Sequence, residues 1–310
     1  MAQQRIGWVG AGRMGYALAE RLLKAGVKLS IHNRTRSKAE PLAALGAAVV
    51  GELAELAASD IVFVIVADSD DLIEVISGPK GLLSRKDQAP RIVVDASTVS
   101  ESASAEVREL LAKRGASFLA APVSGNPKVV RSGKLSVVVS GPKSAFAEAE
   151  PYLKRFGRGV SYVGEGERAR IVKICHNVYL GIVAQALAEI TILAEKNGVP
   201  RHAFLAFVND SVMGSVFSRY KTPAYVNLDF AATFTPPLLR KDLDLGLAAA
   251  RDKGVPMPLA AMTREIIQGM IGRGYTDCDF AALVEVEAQA AGLRLVPENV
   301  MVSDGLEPEK

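Results

Sequence analysis

The chain has 310 residues, of which 49% are hydrophobic and 23% are charged, and its formal net charge is +3. This composition is typical of a folded globular protein and argues against fibrous and disordered classes. The length predicts two domains rather than one. Because the net charge is small and no dense Lys/Arg run is interleaved with aromatic residues, we expect a small anionic ligand and no nucleic acid.

The two cysteines and the apolar runs bear on the cellular compartment. Cys175 and Cys278 are too few for a disulfide framework, and Cys175 stands among apolar residues, where we expect a buried thiol. The first apolar run begins at Ile6, which leaves no room for a secretory signal peptide. The longest apolar stretch, 178–194, is interrupted by two polar residues and predicts a buried helix rather than a membrane span. We therefore expect a cytoplasmic protein in a reducing compartment.

Short β-branched runs alternate with helical patterns from Arg5 to about Val163, which predicts a parallel sheet with crossover helices. The run 61–66 is apolar without alternation, as expected for a central strand that is covered on both faces. The predicted strands are residues 6–9, 29–32, 61–66, 92–94, 118–120 and 135–139.

Beyond Gly166 the strand patterns stop. Residues 167–197 predict one helix of about thirty residues, ended by Asn197-Gly198 and Pro200. The segments that follow have helical lengths and are punctuated at Pro223 and at later prolines and glycines. The predicted fold class is therefore α/β: an N-terminal Rossmann doubly wound sheet over 1–164, an all-helical C-terminal domain over 165–297 joined by the long interdomain helix, and a polar tail over 298–310.

A glycine motif follows the first predicted strand. It reads Gly10-Ala11-Gly12-Arg13-Met14-Gly15, and an amphipathic helix comes directly after it. Glycines at this spacing permit a tight turn, close approach of the backbone to a pyrophosphate, and close packing of helix on strand. A helix N-terminus then faces the phosphates. The flanking strand and helix favour a dinucleotide site over a glycine turn without a ligand, and residues 10–14 are its predicted cofactor contacts.

The end of the second predicted strand bears on the choice of cofactor. An NAD site usually has Asp or Glu there to accept a hydrogen bond from the ribose 2′-hydroxyl. Here the chain reads Asn33-Arg34-Thr35-Arg36. A guanidinium that can pair with a 2′-phosphate, flanked by short polar donors, favours NADPH over NAD, with Asn33, Arg34 and Thr35 as contacts. The alternative is that the arginines are merely solvated.

Three further motifs follow in the chain: Asp95-Ala96-Ser97-Thr98, Ala121-Pro122-Val123-Ser124-Gly125 and Lys173-Ile174-Cys175-His176-Asn177. With the glycine motif, they resemble the β-hydroxyacid dehydrogenases over nearly the whole chain. That family includes 3-hydroxyisobutyrate dehydrogenase, tartronate semialdehyde reductase and the glyoxylate/succinic semialdehyde reductases. The resemblance implies that Thr98 lies beside the nicotinamide and substrate, and that Val66 and Ala67 contact the cofactor. From the residues alone, Ser97 and Thr98 are equally suited to helix capping.

The resemblance assigns Ser124, Gly125 and Asn126 to substrate binding. A serine hydroxyl and exposed amides at a glycine turn suit a carboxylate, although an ordinary turn is the alternative. Two departures from the family pattern occur, since Ala120 replaces its usual Asp and Asn126-Pro127 replaces its second Gly. A larger and stiffer turn narrows the pocket, so the substrate stays open within the short carboxylic acids.

Spacing of i to i+4 places Lys173 and Asn177 on one helical face. The resemblance makes Lys173 the catalytic residue and Asn177 the group that orients it or the substrate. A lone lysine on an apolar helix otherwise snorkels to solvent, whereas burial would lower its pKa toward working pH for proton exchange. His176 replaces the family's first Asn, and we expect it to tune or pack rather than to react.

A last motif, Lys241-Asp242, resembles the family's KDL segment, in which the lysine contacts the cofactor; from the residues alone it is a solvated helical pair. The sequence thus predicts NADPH-dependent hydride exchange with a short β-hydroxyacid, semialdehyde or keto acid. No metal is expected, because no ligand cluster is visible. The apolar helix 178–193 favours a homodimer or higher homo-oligomer, or an interdomain core. An imine reductase and a non-catalytic NADP-binding interaction protein remain as alternatives.

Overall fold

The computed structural model describes residues 4–307. The chain divides into two compact units, Met1–Lys173 and Ile174–Lys310. The division falls inside the long helix that the sequence predicts, so that helix contributes its first turns to one unit and the remainder to the other.

A parallel sheet forms the centre of the first unit. Its six strands run in the order β3-β2-β1-β4-β5-β6, which is the doubly wound order of dinucleotide-binding folds. β1 and β4 are buried along their full length because helices cover both faces of the sheet. This confirms the predicted Rossmann sheet and its central strand. The strands are β1 Ile6–Val9, β2 Leu29–His32, β3 Ala48–Val49, β4 Ile61–Val64, β5 Ile92–Asp95 and β6 Ser117–Ala120.

Helices fill the connections of this sheet. α1 buries an apolar face that includes Leu18 and Leu22, and α4 begins at a serine cap, since the side chain of Ser100 accepts a hydrogen bond from the amide of Ala103. Trp8 on β1 is fully buried and stacks on Phe63 at 5.6 Å between ring centroids. The helices are α1 Arg13–Lys24, α2 Glu40–Ala43, α3 Ser69–Ser77, α4 Glu101–Ala112, α5 Pro127–Arg131 and α6 Lys143–Leu153.

A second, three-stranded sheet consists of β7 Val123–Ser124, β8 Ser136–Val139 and β9 Gly159–Tyr162, in that order. The sequence predicts residues 135–139 as a further strand of the parallel sheet, and this is wrong. β8 pairs antiparallel with β7 because only the short α5 separates them, whereas a parallel crossover needs a longer connection. The sequence analysis also missed β3, β7 and β9.

All the regular secondary structure that the structure describes in the second unit is helical. The predicted helix 167–197 is confirmed as α7, Arg168–Lys196, and five helices follow. Pro223 lies inside α9 rather than between helices, because the turn that follows it is fixed by the fully buried Tyr225 and Val226. The later helices are α8 Arg201–Asp210, α9 Val216–Asn227, α10 Pro236–Asp252, α11 Pro258–Gly272 and α12 Leu283–Ala290.

α7 is long and apolar enough to span a membrane, and it is the only such helix among the described residues. Half of its most apolar stretch is nevertheless buried within the protein, as in the core helix of a globular unit. Its exposed face includes Tyr179 and Leu193. Cys175 lies on that face, so the expectation of a buried thiol is wrong: helical periodicity places it one turn before Tyr179.

The described part of the predicted polar tail has no regular secondary structure, but it packs on the second unit. Val300 and Val302 contact the helical core, Leu306 is buried, and the side chain of Asn227 donates to the carbonyl of Val300. Residues 308–310 lie outside the described residues.

Candidate functional site

Four adjacent strands of the parallel sheet end in one row. Val9 pairs with His32 on one side and with Val64 on the other, and Val64 pairs with Asp95. The predicted cofactor segments 10–14, 33–35 and 66–67 and the motif 95–98 each lie at or just past this row. The structure therefore brings them to one edge of the sheet. The order of successive strands in the sheet reverses between β1 and β4, and such a switch point is where ligands bind in open α/β sheets.

The glycines of the first motif have different surroundings. A Cβ on Gly10 would lie 2.0 Å from the carbonyl oxygen of Ile65, and a Cβ on Gly15 would lie 2.3 Å from that of Gly10. Gly10 also has φ = 98°, which favours glycine. A Cβ on Gly12 would meet no protein atom within 4 Å. Packing thus requires glycine at positions 10 and 15. Gly12 instead borders open space, which would let a ligand approach the backbone closely.

The start of α1 fits an anion. α1 begins at Arg13 after Gly12, with no side-chain cap and no acidic residue in its first turn. The first amides of a helix lack intrahelical partners and carry the positive end of the helix dipole. Arg13 is exposed and Met14 is half-buried at this turn. The open space at Gly12 and this helix end fit the pyrophosphate of a dinucleotide.

Asn33 is a structural link rather than a free donor. Its Oδ1 accepts the amide of Ala11 at 2.7 Å, and its Nδ2 donates to the carbonyl of Thr35 at 2.7 Å. The side chain therefore ties the glycine turn to the end of β2. Arg34 is exposed, and its Nη1 lies 2.9 Å from Oδ1 of Asp71 on α3, a partner that the sequence did not indicate. Burial lowers the pKa of the neighbouring His32, which favours its neutral form.

The motif at the end of β5 is held by a buried ion pair. Asp95 and Arg170 are 0% and 1% exposed, and the Arg170 guanidinium is bonded directly to the Asp95 carboxylate. The same guanidinium donates to the carbonyl of Ser97 at 2.6 Å and to the hydroxyl of Ser104 at 3.1 Å. Sequence reasoning missed Arg170, because nothing in the pattern of α7 distinguishes it from a solvated arginine.

Ser97 connects two of the cofactor segments. Its hydroxyl donates to Asp95 at 2.6 Å and accepts the amide of Val66 at 2.9 Å. The capping alternative is wrong for Ser97 and Thr98, since Ser100 caps α4. Thr98 is half-buried and Ala67 is exposed, at the edge where the cofactor is expected.

The predicted substrate turn follows β6. Ser124 is half-buried on β7. Gly125 has φ = 142°, and a Cβ there would come within 2.8 Å of Val129, so glycine is required. Asn126 caps α5, because its Oδ1 accepts the amides of Lys128 and Val129. With Pro127 in the first turn of α5, the Asn-Pro departure from the family pattern serves as a helix start.

Lys173 is half-buried on α7, one turn beyond Arg170. Since Arg170 is bonded to residues 95–97, the turn of α7 that carries Lys173 is anchored to the loop that carries Thr98. Both belong to the first unit.

In the second unit, Asn177 is buried and its Nδ2 donates to Asp242 of α10 at 2.6 Å. Its Oδ1 lies 2.9 Å from Nδ1 of His176. Asp242 is 3% exposed, so the solvated helical pair expected for Lys241-Asp242 is wrong for the carboxylate. Lys241 is partly exposed, with Nζ at 3.5 Å from Asp242 Oδ1.

Two family models together match most of the chain. Residues 5–164 match the NAD binding domain of 6-phosphogluconate dehydrogenase, and residues 167–287 match the domain described as the NAD-binding domain of NADP-dependent 3-hydroxyisobutyrate dehydrogenase. The boundary between the two matches lies just before α7.

Individual proteins give the same result. The chain is 31% identical to 2-(hydroxymethyl)glutarate dehydrogenase of Eubacterium barkeri, over 93% of this chain and 96% of that protein. It is 30% identical to the chloroplastic glyoxylate/succinic semialdehyde reductase 2 of Arabidopsis thaliana, over 90% and 78% of the two chains. The structure of Mycobacterium tuberculosis 3-hydroxyisobutyrate dehydrogenase with L-serine matches with a TM-score of 0.77 at 25% identity, covering 92% of this chain and 99% of that one.

Proposed function

The chain belongs to the β-hydroxyacid dehydrogenase family of nicotinamide-dependent oxidoreductases, and on that premise we propose that it is an NADPH-dependent reductase of short semialdehydes or keto acids. The observation that carries the proposal is the anchoring of the Lys173 turn to the Asp95–Thr98 loop through Arg170. This anchoring fixes the position of the Lys173 amine relative to the Asp95–Thr98 loop. In the family, the corresponding loop lies beside the nicotinamide.

The end of β2 supports NADPH. No carboxylate stands among residues 32–36, and Arg34 extends from the cofactor edge with an exposed side chain. Its ion pair with Asp71 is a surface contact, of the kind worth less than about 1 kcal/mol, so a 2′-phosphate competes readily for the guanidinium. The second matched domain is described from an NADP-dependent enzyme.

The β7 turn supports a carboxylate-bearing substrate. Charge-assisted hydrogen bonds to a carboxylate are roughly twice as strong as neutral ones. The Ser124 hydroxyl and the amide of Gly125 are suited to donate such bonds. Asn126 can take part as well, because its Oδ1 caps α5 and its Nδ2 is the group that donates to a carboxylate. The names of two relatives, a hydroxymethylglutarate dehydrogenase and a semialdehyde reductase, agree with a short acid that carries a terminal oxygen function.

In the proposed mechanism, NADPH supplies the two-electron reduction of the carbonyl carbon. Ser124 and Gly125 hold the carboxylate and thereby orient the substrate. Lys173 Nζ donates a proton to the oxygen as it becomes an alkoxide, and accepts one in the reverse direction. Asn177 lies one turn beyond Lys173 along α7, and its Nδ2 donates to Asp242. Its role in the mechanism is to orient the lysine or the substrate.

The test is turnover of a panel of short semialdehydes, keto acids and cyclic imines, with NADPH and NADH in parallel. We expect turnover of a carboxylate-bearing carbonyl compound with NADPH preferred. Lys173→Ala should lower kcat by about 100-fold or more, because general acid catalysis contributes roughly 10²–10⁴-fold. NADPH affinity should change little, as measured by quenching of protein fluorescence.

Lys196→Ala, at the far end of the same helix, is the matched control and should leave kcat unchanged. Full activity of Lys173→Ala would refute the lysine assignment. Reduction of cyclic imines alone would refute the substrate class, and a preference for NADH would refute the cofactor assignment.

A further inference from the structure

Arg170 is an unusual residue to bury in the first turn of a helix. It is 1% exposed, and its guanidinium makes bonds to a carboxylate, a backbone carbonyl and a hydroxyl, all in the segment 95–104. Burying a long charged side chain costs several kcal/mol, which the opposite charge and good geometry only offset. Replacement of a buried ion pair by well-packed apolar residues is often neutral or even stabilising. Stability alone therefore gives no reason for an arginine here.

The bonds of Arg170 continue beyond its immediate partners. Asp95 receives Arg170 through one carboxylate oxygen, and through the other it accepts the amide and the hydroxyl of Ser97. The Ser97 hydroxyl in turn accepts the amide of Val66. One connected network thus joins α7 to the segment after β5 and to the segment after β4. Both segments lie at the cofactor edge of the sheet.

Arg170 stands three residues before Lys173, so the two side chains lie on neighbouring positions of one helical face. A displacement or rotation of the first turn of α7 would move the lysine amine relative to Thr98. Directional bonds from one rigid planar guanidinium to three acceptors oppose both movements, which an apolar contact would not do.

We infer that Arg170 is a positioning residue, which fixes the catalytic turn of α7 against the Asp95–Thr98 loop through Asp95 and Ser97. It acts through these groups and touches neither cofactor nor substrate. The inference rests on the proposed function for its kinetic part, whereas its structural part concerns the protein without cofactor.

The chain contains a matched control. Arg108 of α4 forms a second ion pair with Glu167, just before α7, and the Glu167 side chain is 7% exposed. This pair joins α4 to the residue just before α7 and has no bond to residues 95–98 among its described contacts. Removal of the Arg108–Glu167 pair should therefore remove a charge pair at the start of α7 and leave the contacts of the Asp95–Thr98 loop in place.

The first experiment uses purified full-length protein without cofactor. Arg170→Met combined with Asp95→Asn removes both charges and so avoids an unpaired buried ion. We expect faster amide hydrogen exchange in residues 96–100 than in the wild type. Arg108→Met combined with Glu167→Gln should leave exchange in those residues unchanged, even if its Tm falls by a similar amount. Equal exchange in the two double variants would overturn the inference.

The second experiment measures steady-state kinetics with NADPH and the best substrate of the panel. Because a misplacement of about 1 Å costs on the order of 100-fold, kcat of the Arg170/Asp95 variant should fall by about that factor. Its KM and its NADPH affinity should stay within about threefold of wild type, and the kinetic isotope effect with 4-deuterated NADPH should rise. The Arg108/Glu167 variant should keep wild-type kcat.

Arg170→Lys retains the charge but not the planar array of donors. It should fold and should lose about 10-fold in kcat, which tests the inference if the double variant does not fold. A wild-type kcat in Arg170→Lys would overturn the inference. If wild-type protein reduces no compound of the panel, the proposed function fails, and the hydrogen-exchange comparison still decides the role of Arg170.

Discussion

Gly12 and Gly15 belong to one motif but differ in what surrounds them. A Cβ on Gly12 would meet nothing within 4 Å, whereas a Cβ on Gly15 would clash with the carbonyl of Gly10. We therefore expect Gly12→Ala to keep the Tm of wild type and to weaken NADPH binding at least 10-fold, because the methyl group occupies the space left for the pyrophosphate. Thermal unfolding and fluorescence titration measure the two effects.

Gly15→Ala is the comparison. It should lower the Tm without cofactor, since backbone must move to admit the methyl group. If Gly12→Ala binds NADPH as tightly as the wild type, the open space at Gly12 is not the pyrophosphate site.

For individual residues, the sequence identifies the members of the motifs but not the side chains and backbone groups that they contact. The glycines are recognisable because their spacing follows from the geometry of a turn. The bond from Arg170 to Asp95 joins residues far apart in sequence, as does that from Arg34 to Asp71, and no local pattern records either. Asn33 is predicted to bind the cofactor, and what the sequence does not indicate is that both ends of its carboxamide also bond to the backbone.

Among the elements of the second unit, α9 and the turn before α12 are joined by a buried ion pair. Lys221 Nζ lies 2.5 Å from Asp279, and the two side chains are 4% and 3% exposed. Asp279 also accepts the amides of Thr233 and Ala281. Burial alone would raise the pKa of Asp279, but Lys221 and these hydrogen bonds outweigh it and hold the pKa below its ordinary value.

Asp279→Asn should destabilise the protein by about 3–5 kcal/mol at pH 7, because Lys221 is left buried without an opposite charge. A depressed folded pKa contributes stability above the unfolded value, about 4, and that contribution is lost as the pH falls through the folded value. The difference between wild type and variant should therefore shrink between pH 5 and pH 3. Urea denaturation at a series of pH values measures it.

The exposed neighbour Asp277 supplies the control, since Asp277→Asn should change the stability by less than about 0.5 kcal/mol. A difference between wild type and Asp279→Asn that stays constant down to pH 3 would contradict the role of the ionised carboxylate.

Whole elements were predictable where a long periodic or uniformly apolar run defined them. α7 was predicted within one residue at each end, and β1 and β2 were predicted without error. The two-residue strands β3 and β7 are too short to show any period. The prediction that β8 joins the parallel sheet is wrong, because the partner of a strand depends on which sheet edge is available in the folded protein. A local sequence pattern does not contain that information.

For the chain as a whole, the composition of the C-terminal segment predicts a polar tail. In the structure, its described part completes α8. Pro200 precedes α8 without a side-chain cap, and Glu298 accepts the amides of Arg201 and His202 at 2.7 and 3.0 Å. A carboxylate at a helix N-terminus is favoured by the helix dipole. Composition alone cannot distinguish such a docked segment from a solvated one.

Removal of residues 298–310 should therefore lower stability by about 3 kcal/mol or more, through loss of the cap and of the apolar contacts of Val300, Val302 and Leu306. Glu298→Ala alone should cost about 1–2 kcal/mol and speed amide exchange in the first turn of α8. Met301→Ala is the control, since Met301 is 99% exposed within the same segment and should change stability by less than about 0.5 kcal/mol. Urea denaturation compares the variants. A truncated chain as stable as the wild type would mean that the segment is a solvated tail, and that α8 does not depend on Glu298.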